Sequence, residues 1–402
     1  MPVTQPATAT YPFTAEKLDL SPLYSALRRE QPLSRVQLPY GEPAWLATRY
    51  ADARFVLGDP RFSRNESLRH DEPRMRSFPT PPDALMIMDP PEHSRLRRLA
   101  AKAFTVKRVE EWRPRIERIA AELADGMLAK GNTADLVTDF ATPLPVSVIS
   151  TLLGVPFEDR GDFHVWTEAF ISTTKYTPEE AAKHRAALTR YMACLIAEHR
   201  ETPRNDLIGD LVAARDEDDR LSEGELQTML SGLLVGGFET TATQITNFLY
   251  VLLTHPEELA ALRADLDLIP QAVEELLRFV PMTVGTAFAR YAMEDVEVGG
   301  VTVRAGEPVV VALHSANRDE SVFTCPHQLD LERREAAHLG FGHGAHHCLG
   351  SPLARVELQV ALRTLLTSFP NLRFQESEAD VVWKSGVLTR GPERLPVTWD
   401  QP

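Results

Sequence analysis

The chain is short of cysteine, of long apolar runs, of linker-like sequence and of positive charge, and each shortage removes a class of protein. Three cysteines (Cys194, Cys325, Cys348) in 402 residues cannot build a disulfide framework or give four thiolates to an iron–sulfur cluster. The longest apolar stretches, around residues 146–155 and 229–235, fall short of the roughly 18 residues a membrane span needs. Residues Met1–Thr10 are polar and Pro/Thr-rich, with neither a basic region nor an apolar core, so a cytoplasmic protein with no membrane anchor is expected. No Gly/Ser-rich linker or repeat offers a place to cut, and residues 1–402 are read as a single domain behind a short flexible tail over residues 1–10. A net charge of −14 argues against a nucleic-acid partner and makes any local basic cluster informative.

What is present is mostly helical periodicity. Extended sequence is confined to Pro43–Ala47 and to a stretch over residues 283–313, where Val296, Val298, Val301 and Val303 flank Gly299-Gly300, a hairpin dipeptide. The expected fold is mainly α with a minor antiparallel β part. The most informative helix opens at Ser222, with Glu225 three residues on as a capping box, and runs to the residues before Pro256. That is roughly 30 residues, or about 45 Å. Its apolar stripe (Leu226, Met229, Leu230, Leu233, Leu234, then Ile245, Phe248, Leu249 and Leu252) is interrupted by Gly237 and Thr240/Thr241. Gly236-Gly237 should cost the helix about 1 kcal/mol per glycine. Side chains missing from such a face make room either for something flat and non-protein or for a closely packed second helix.

A second signal is Phe341-Gly-His-Gly-Ala-His-His-Cys-Leu-Gly350, followed by a helical pattern with Pro352 in its first turn. Backbone N–H groups at a helix N-terminus favour a thiolate at Cys348, and a thiolate on a glycine-rich loop is a good axial ligand for haem iron. An inert buried cysteine, a cysteine hydrolase and a zinc site built on His343, His346, His347 and Cys348 are the alternatives. Zinc needs side chains converging on a tetrahedron, which neighbours on one loop rarely achieve.

Through Phe341, Gly342, Gly344, His346, Cys348, Leu349 and Gly350 the loop resembles the haem-binding signature of bacterial cytochrome P450 monooxygenases. Gly236-Gly-Phe-Glu-Thr-Thr241 resembles the family's oxygen-activating kink, Glu275-Leu-Leu-Arg278 its Glu-x-x-Arg pair, and Asp89-Pro-Pro-Glu-His-Ser-Arg-Leu-Arg97 its haem-flanking helix start. The likeness runs from about Tyr11 to Trp399, with Glu320 where proline often follows Asn317-Arg318-Asp319.

The resemblance implies haem b (iron protoporphyrin IX) between the long helix and the cysteine-loop helix, with Cys348 as iron ligand and Phe341 and Gly350 shaping the loop. It implies His93, Arg97, Arg290 and His346 as partners of the haem propionates, since an unpaired buried carboxylate is costly. Glu239 and Thr240 fall at the family's acid–alcohol pair, where a positioned acid delivers protons beside the cofactor. Glu275 and Arg278 are expected to be structural, tied to Arg333 or Arg334. O2 is the implied co-substrate. Electrons from NAD(P)H would come through a ferredoxin and its reductase, docking on Arg95, Arg98, Lys102, Lys107 and Arg108. Leu85, Met86, Leu234, Gly237, Val284 and Val387 fall in segments that line the pocket in relatives, and their apolar character suits a bulky substrate. The stretches Arg35–Tyr40, Ala316–Glu320 and Gly342–Cys348 look most like actinomycete hydroxylases that tailor macrolides and other polyketides. Hydroxylation or epoxidation by a monomer is therefore expected. Terpenoid, steroid-like and peptide substrates are alternatives, as is a non-catalytic haem or zinc protein.

Overall fold

The computed structural model describes residues 8–156, 161, 163–204, 206–216, 221–285 and 288–400. Its contacts divide the chain into two compact units: residues 1–94, 277–329 and 334–348, and residues 95–276, 330–333 and 349–402. Among the described residues no helix is long and apolar enough to cross a membrane.

The first unit holds a six-stranded sheet in the order Ala9–Thr10, Leu33–Gln37, Ala44–Ala47, Pro308–Val311, Arg290–Ala292 and Phe62–Ser63. Both segments read as extended carry strands here, but Ala9–Thr10, Leu33–Gln37 and Phe62–Ser63 lie outside them, so the β part is not confined to those segments. Two pairings are parallel, Ala9–Thr10 with Leu33–Gln37 and Ala44–Ala47 with Pro308–Val311, so the sheet is mixed. Ala9 and Thr10 thus belong to a strand and not to the tail expected over residues 1–10, the first seven of which lie outside the described residues. Val296–Val298 and Val301–Val303 form the expected hairpin. Gly299 (φ 56°) and Gly300 (φ 80°) supply the two left-handed residues that its turn demands. Leu33, Val56, Phe62, Val298, Val309, Phe323 and Leu339 share the core beneath the sheet. Strand Arg290–Ala292 is buried along its whole length, which carries a guanidinium into the interior.

The second unit is built round helix Glu223–Thr254, whose Ser222/Glu225 capping box is complete. Helices Pro143–Leu153, Pro178–Glu201 and Ser351–Ser368 pack against it. Every residue from Ala242 to Leu252 is buried, so the apolar stripe of the sequence broadens into a helix enclosed on all sides. Thr246 donates there to the Thr243 carbonyl at 2.8 Å and Asn247 Nδ2 to the Arg390 carbonyl at 2.9 Å. Hairpin Val382–Trp383/Pro392–Arg394 belongs to the same unit, and its connecting segment carries Lys384, Val387 and Thr389.

Candidate active site

Glycine conformations and close packing set the shape of the cysteine loop. Gly342 and Gly344 adopt φ of 74° and 73°. A Cβ on Gly344 would fall 2.4 Å from the Leu57 carbonyl oxygen, so only glycine lets the loop lie against helix Tyr50–Gly58. The Cys348 N–H donates to the Phe341 carbonyl at 2.9 Å, folding the two residues back toward each other. Helix Ser351–Ser368 follows, with Gly350 at its N-cap and Pro in its first turn. Cys348 is exposed and forms no disulfide. Among the described residues no three His, Cys, Asp or Glu side chains gather as a metal cluster, so the zinc alternative has no ligand set.

The basic side chains of His93, His346, Arg290 and Arg64 lie in the same unit, and Arg97 falls in the second. The His93 and His346 rings lie 4.2 Å apart, centre to centre, with His93 buried. Arg290 is 3% exposed, and its Nε and Nη2 have no hydrogen-bond partner among the described residues. Burial lowers its pKa to about 10 against the pull of Asp89. Arg64, absent from the sequence reading, joins them: its Nε is likewise buried without a partner, and burial and the neighbouring Arg290 both lower its pKa. It donates to the Met86 carbonyl at 2.5 Å and lies over the Phe288 ring at 5.0 Å. The two guanidiniums disfavour each other's charge, and Asp89, acting on both, and Glu72, acting on Arg64, offset only part of the cost of burial. Arg97 is half-buried, one helical turn beyond His93 on helix Glu92–Ala101.

In the second unit Glu239 is buried on the long helix. Its Oε1 accepts from Lys384 Nζ at 2.6 Å, Thr389 Oγ1 at 3.1 Å and Thr243 Oγ1 at 3.3 Å. Nothing local in the sequence marks these partners, since Lys384 and Thr389 lie about a third of the chain away and approach only through the fold. Thr240 donates to the Gly236 carbonyl at 2.8 Å, a back-bond that bends helices. The two glycines beside it differ. A Cβ on Gly236 would meet nothing within 4 Å, whereas one on Gly237 would fall 2.8 Å from Ile149 Cδ1 on helix Pro143–Leu153. Open space and close helix packing, posed as alternatives by the sequence, are therefore both present, one at each glycine.

Glu275 and Arg278 are buried on helix Ile269–Phe279. Glu275 Oε1 accepts from Arg333 Nε at 3.2 Å and the Asp330 N–H at 3.1 Å, while Arg278 Nη1 donates to the Asn317 and Pro326 carbonyls at 2.8 and 2.9 Å. Both groups brace chain segments. Of the pocket candidates, Leu234 and Val387 are buried, Leu85, Gly237 and Val284 half-buried, and Met86 exposed; residues 286 and 287 beside Val284 lie outside the described residues. Of the basic cluster, Arg98 and Lys102 are exposed, but Arg95 is committed to Glu225 at 2.6 Å. Burial would raise the Glu225 carboxyl, yet Arg95 and the Ser222 N–H hold it below its ordinary value. Arg95 therefore helps to fasten the start of the long helix.

The first unit holds a glycine-turned cysteine loop and buried basic side chains, and the second holds an acid and an alcohol on its long helix. The cytochrome P450 family model matches residues 27–394, and the chain belongs to that family. It is 52% identical to the mycinamicin IV hydroxylase/epoxidase of Micromonospora griseorubida, over 99% of this chain and 100% of that protein. It is also 52% identical to the nocardicin C N-oxygenase of Nocardia uniformis subsp. tsuyamanensis, over the same shares. The crystal structure of HinD with NMFT and NO matches at a TM-score of 0.95 and 49% identity, covering 98% of this chain and all of that one. Membership carries haem as cofactor and O2 as co-substrate. The residues fit that group: the partnerless nitrogens of Arg290 and Arg64 suit anionic carboxylates, and the exposed Cys348 thiol suits iron.

Proposed function

We propose that this monooxygenase hydroxylates or epoxidises a bulky, weakly charged natural product of the macrolide or wider polyketide type. The observation that carries the cofactor assignment is Arg290, a buried guanidinium with two nitrogens open to an anion. In this reading Cys348 is the iron ligand, Phe341 packs near its sulfur, and Gly350 opens the following helix. His93, Arg97, Arg290 and His346 hold the propionates, with Arg64 as an added cation. Bound haem supplies the activation of O2. The chain's own task is to hold and move protons: Glu239 takes them up, and the Thr240 hydroxyl passes them on once it leaves the Gly236 carbonyl. Leu85, Met86, Leu234, Gly237, Val284 and Val387 supply an apolar lining with few polar anchors.

The identity to a macrolide hydroxylase/epoxidase supports this substrate class. The equal identity to a nocardicin C N-oxygenase supports a second reading, N-oxygenation. Reduction of the purified protein under carbon monoxide should give the strongly red-shifted Soret band of thiolate-bound haem, lost in Cys348→Ser; a normal band in that variant would refute the ligand assignment. Spin-state titration with macrolides and with nocardicin C then separates the two readings.

Electrons would arrive from NAD(P)H through a ferredoxin reductase and an acidic ferredoxin docking on Arg98, Lys102, Lys107 and Arg108. Arg98→Glu with Lys102→Glu should raise the ferredoxin KM about tenfold at low salt. An unchanged KM would move the docking site elsewhere.

A further inference from the structure

The Glu239 carboxylate carries its bonds unevenly. Lys384, Thr389 and Thr243 all reach Oε1, and Oε2 accepts from no described residue. The side chains of Lys384 and Glu239 are 12% and 4% exposed, so the ion pair is nearly desolvated. Lys384 Nζ also donates to Thr243 Oγ1 at 2.9 Å, tying the ammonium to the long helix at a second point.

Backbone contacts independent of the ion pair put Lys384 there. Its N–H donates to the Gly391 carbonyl at 2.9 Å and closes the connecting segment of the hairpin. Gly391 lies against the long helix so closely that a Cβ would fall 2.7 Å from Asn247 Oδ1 and 2.8 Å from Thr243 Cγ2. On the segment's other side the Gly386 carbonyl accepts the N–H groups of Thr173, Thr174 and Lys175, at 2.8 to 3.0 Å. The Leu388 N–H donates to the Ile171 carbonyl at 2.9 Å. The segment is thus pinned to the long helix on one side and to the chain after helix Phe163–Ile171 on the other.

We propose that Lys384 is a positioning residue for proton delivery: it clamps Oε1 and leaves Oε2 as the oxygen that takes up and releases the proton. In each transfer a proton from water binds Oε2, the carboxyl passes it to Thr240 or a water beside it, and the carboxylate is restored. Lys384 itself gains and loses nothing. A cation beside a buried carboxylate favours the ionised form, and its removal favours the neutral one. The inference rests on the monooxygenase reading of Glu239.

The test compares the holoenzyme with K384M, K384R and E239Q. Infrared difference spectra should show the Glu239 stretching bands, identified by their loss in E239Q, shifted in K384M and kept near the wild-type positions in K384R. With a surrogate ferredoxin and reductase, product formed per NADH should fall roughly tenfold in K384M, a part of the ~10²-fold that a positioned general acid contributes. Its solvent deuterium isotope effect should rise, and K384R should recover most of the coupling. If K384M does not accumulate, K384Q removes the charge while keeping a hydrogen bond and carries the same expectations. Unchanged Glu239 bands, coupling and isotope effect in the uncharged variant would overturn the proposal and leave the monooxygenase reading standing. A wild type without the thiolate-haem spectrum would sink that reading and the delivery role together, while the infrared comparison would still report on the clamp.

Discussion

Arg290 and Glu239 are both 3% exposed, yet their surroundings treat them differently. Arg290 keeps two nitrogens without a partner among the described residues and has Arg64, another cation, as a neighbour. Glu239 has an ammonium and two hydroxyls on one oxygen. Buried charge left open by the protein marks a place completed by a ligand, because desolvation without a partner costs several kcal/mol. Buried charge that the protein completes itself marks a group whose ionisation the fold sets. In the proposed function the cofactor belongs with the first kind and proton handling with the second.

The largest effect should come from Arg290→Met. Haem-free protein should be as stable as the wild type or more so, since an uncompensated cation is replaced by an apolar chain. Haem release to a scavenger should accelerate tenfold or more, because a hydrogen bond to a charged group is worth roughly 1.5–3 kcal/mol. A destabilised haem-free protein with unchanged release would make Arg290 a structural residue and erase the contrast.

Thr240→Ala probes the completed side. Haem binding and the carbon monoxide spectrum should persist, while product per NADH falls several-fold. Full coupling in this variant would mean that protons reach the site without the hydroxyl.

A smaller effect separates the two glycines. Gly236→Ala should stabilise the protein by up to about 1 kcal/mol through helix propensity, since nothing lies within 4 Å of the new methyl group. In Gly237→Ala that gain is opposed by crowding against Ile149, at roughly 1–3 kcal/mol. Denaturant midpoints measure both. A double-mutant cycle with Ile149→Ala, which removes both crowded atoms, should show favourable coupling at Gly237 and none at Gly236.

Glu357 sharpens the comparison as a carboxyl given no cation. It is 1% exposed on helix Ser351–Ser368, and its Oε2 has no partner among the described residues. Burial raises its pKa well above the ordinary value. The folded chain therefore holds this proton to higher pH than the unfolded chain, and wild-type stability declines as pH rises past the ordinary carboxyl range. Glu357→Gln should match the wild type near pH 5 and gain on it progressively toward about pH 9, in unfolding measured across that range. A constant difference would show that the carboxyl does not titrate with folding.

The motifs legible in the sequence are those whose chemistry is local. Ser222 and Glu225 cap a helix from three residues apart, and Gly299-Gly300 turns a hairpin within its own strands. The glycines of the cysteine loop show where backbone must bend, and the matched motifs name the family from one end of the chain to the other. Lys384 offered no such signal. It precedes a turn in a stretch with no periodicity and becomes a partner of Glu239 only when the hairpin folds onto the long helix. Arg64 is one arginine among many until strand Phe62–Ser63 pairs with Arg290–Ala292. Arg95 has the look of a surface cation, and only the fold brings it to Glu225.

By itself the sequence determined the helical class, the hairpin, the long central helix, the thiolate loop and the family, because each rests on residues within a few positions of one another or on a pattern running the length of the chain. The tertiary structure alone decided which buried charges are paired, which glycine is crowded and which basic residue is already committed. Those outcomes depend on distances between segments far apart in the chain, and desolvation and Coulomb energy are functions of such distances, not of residue order.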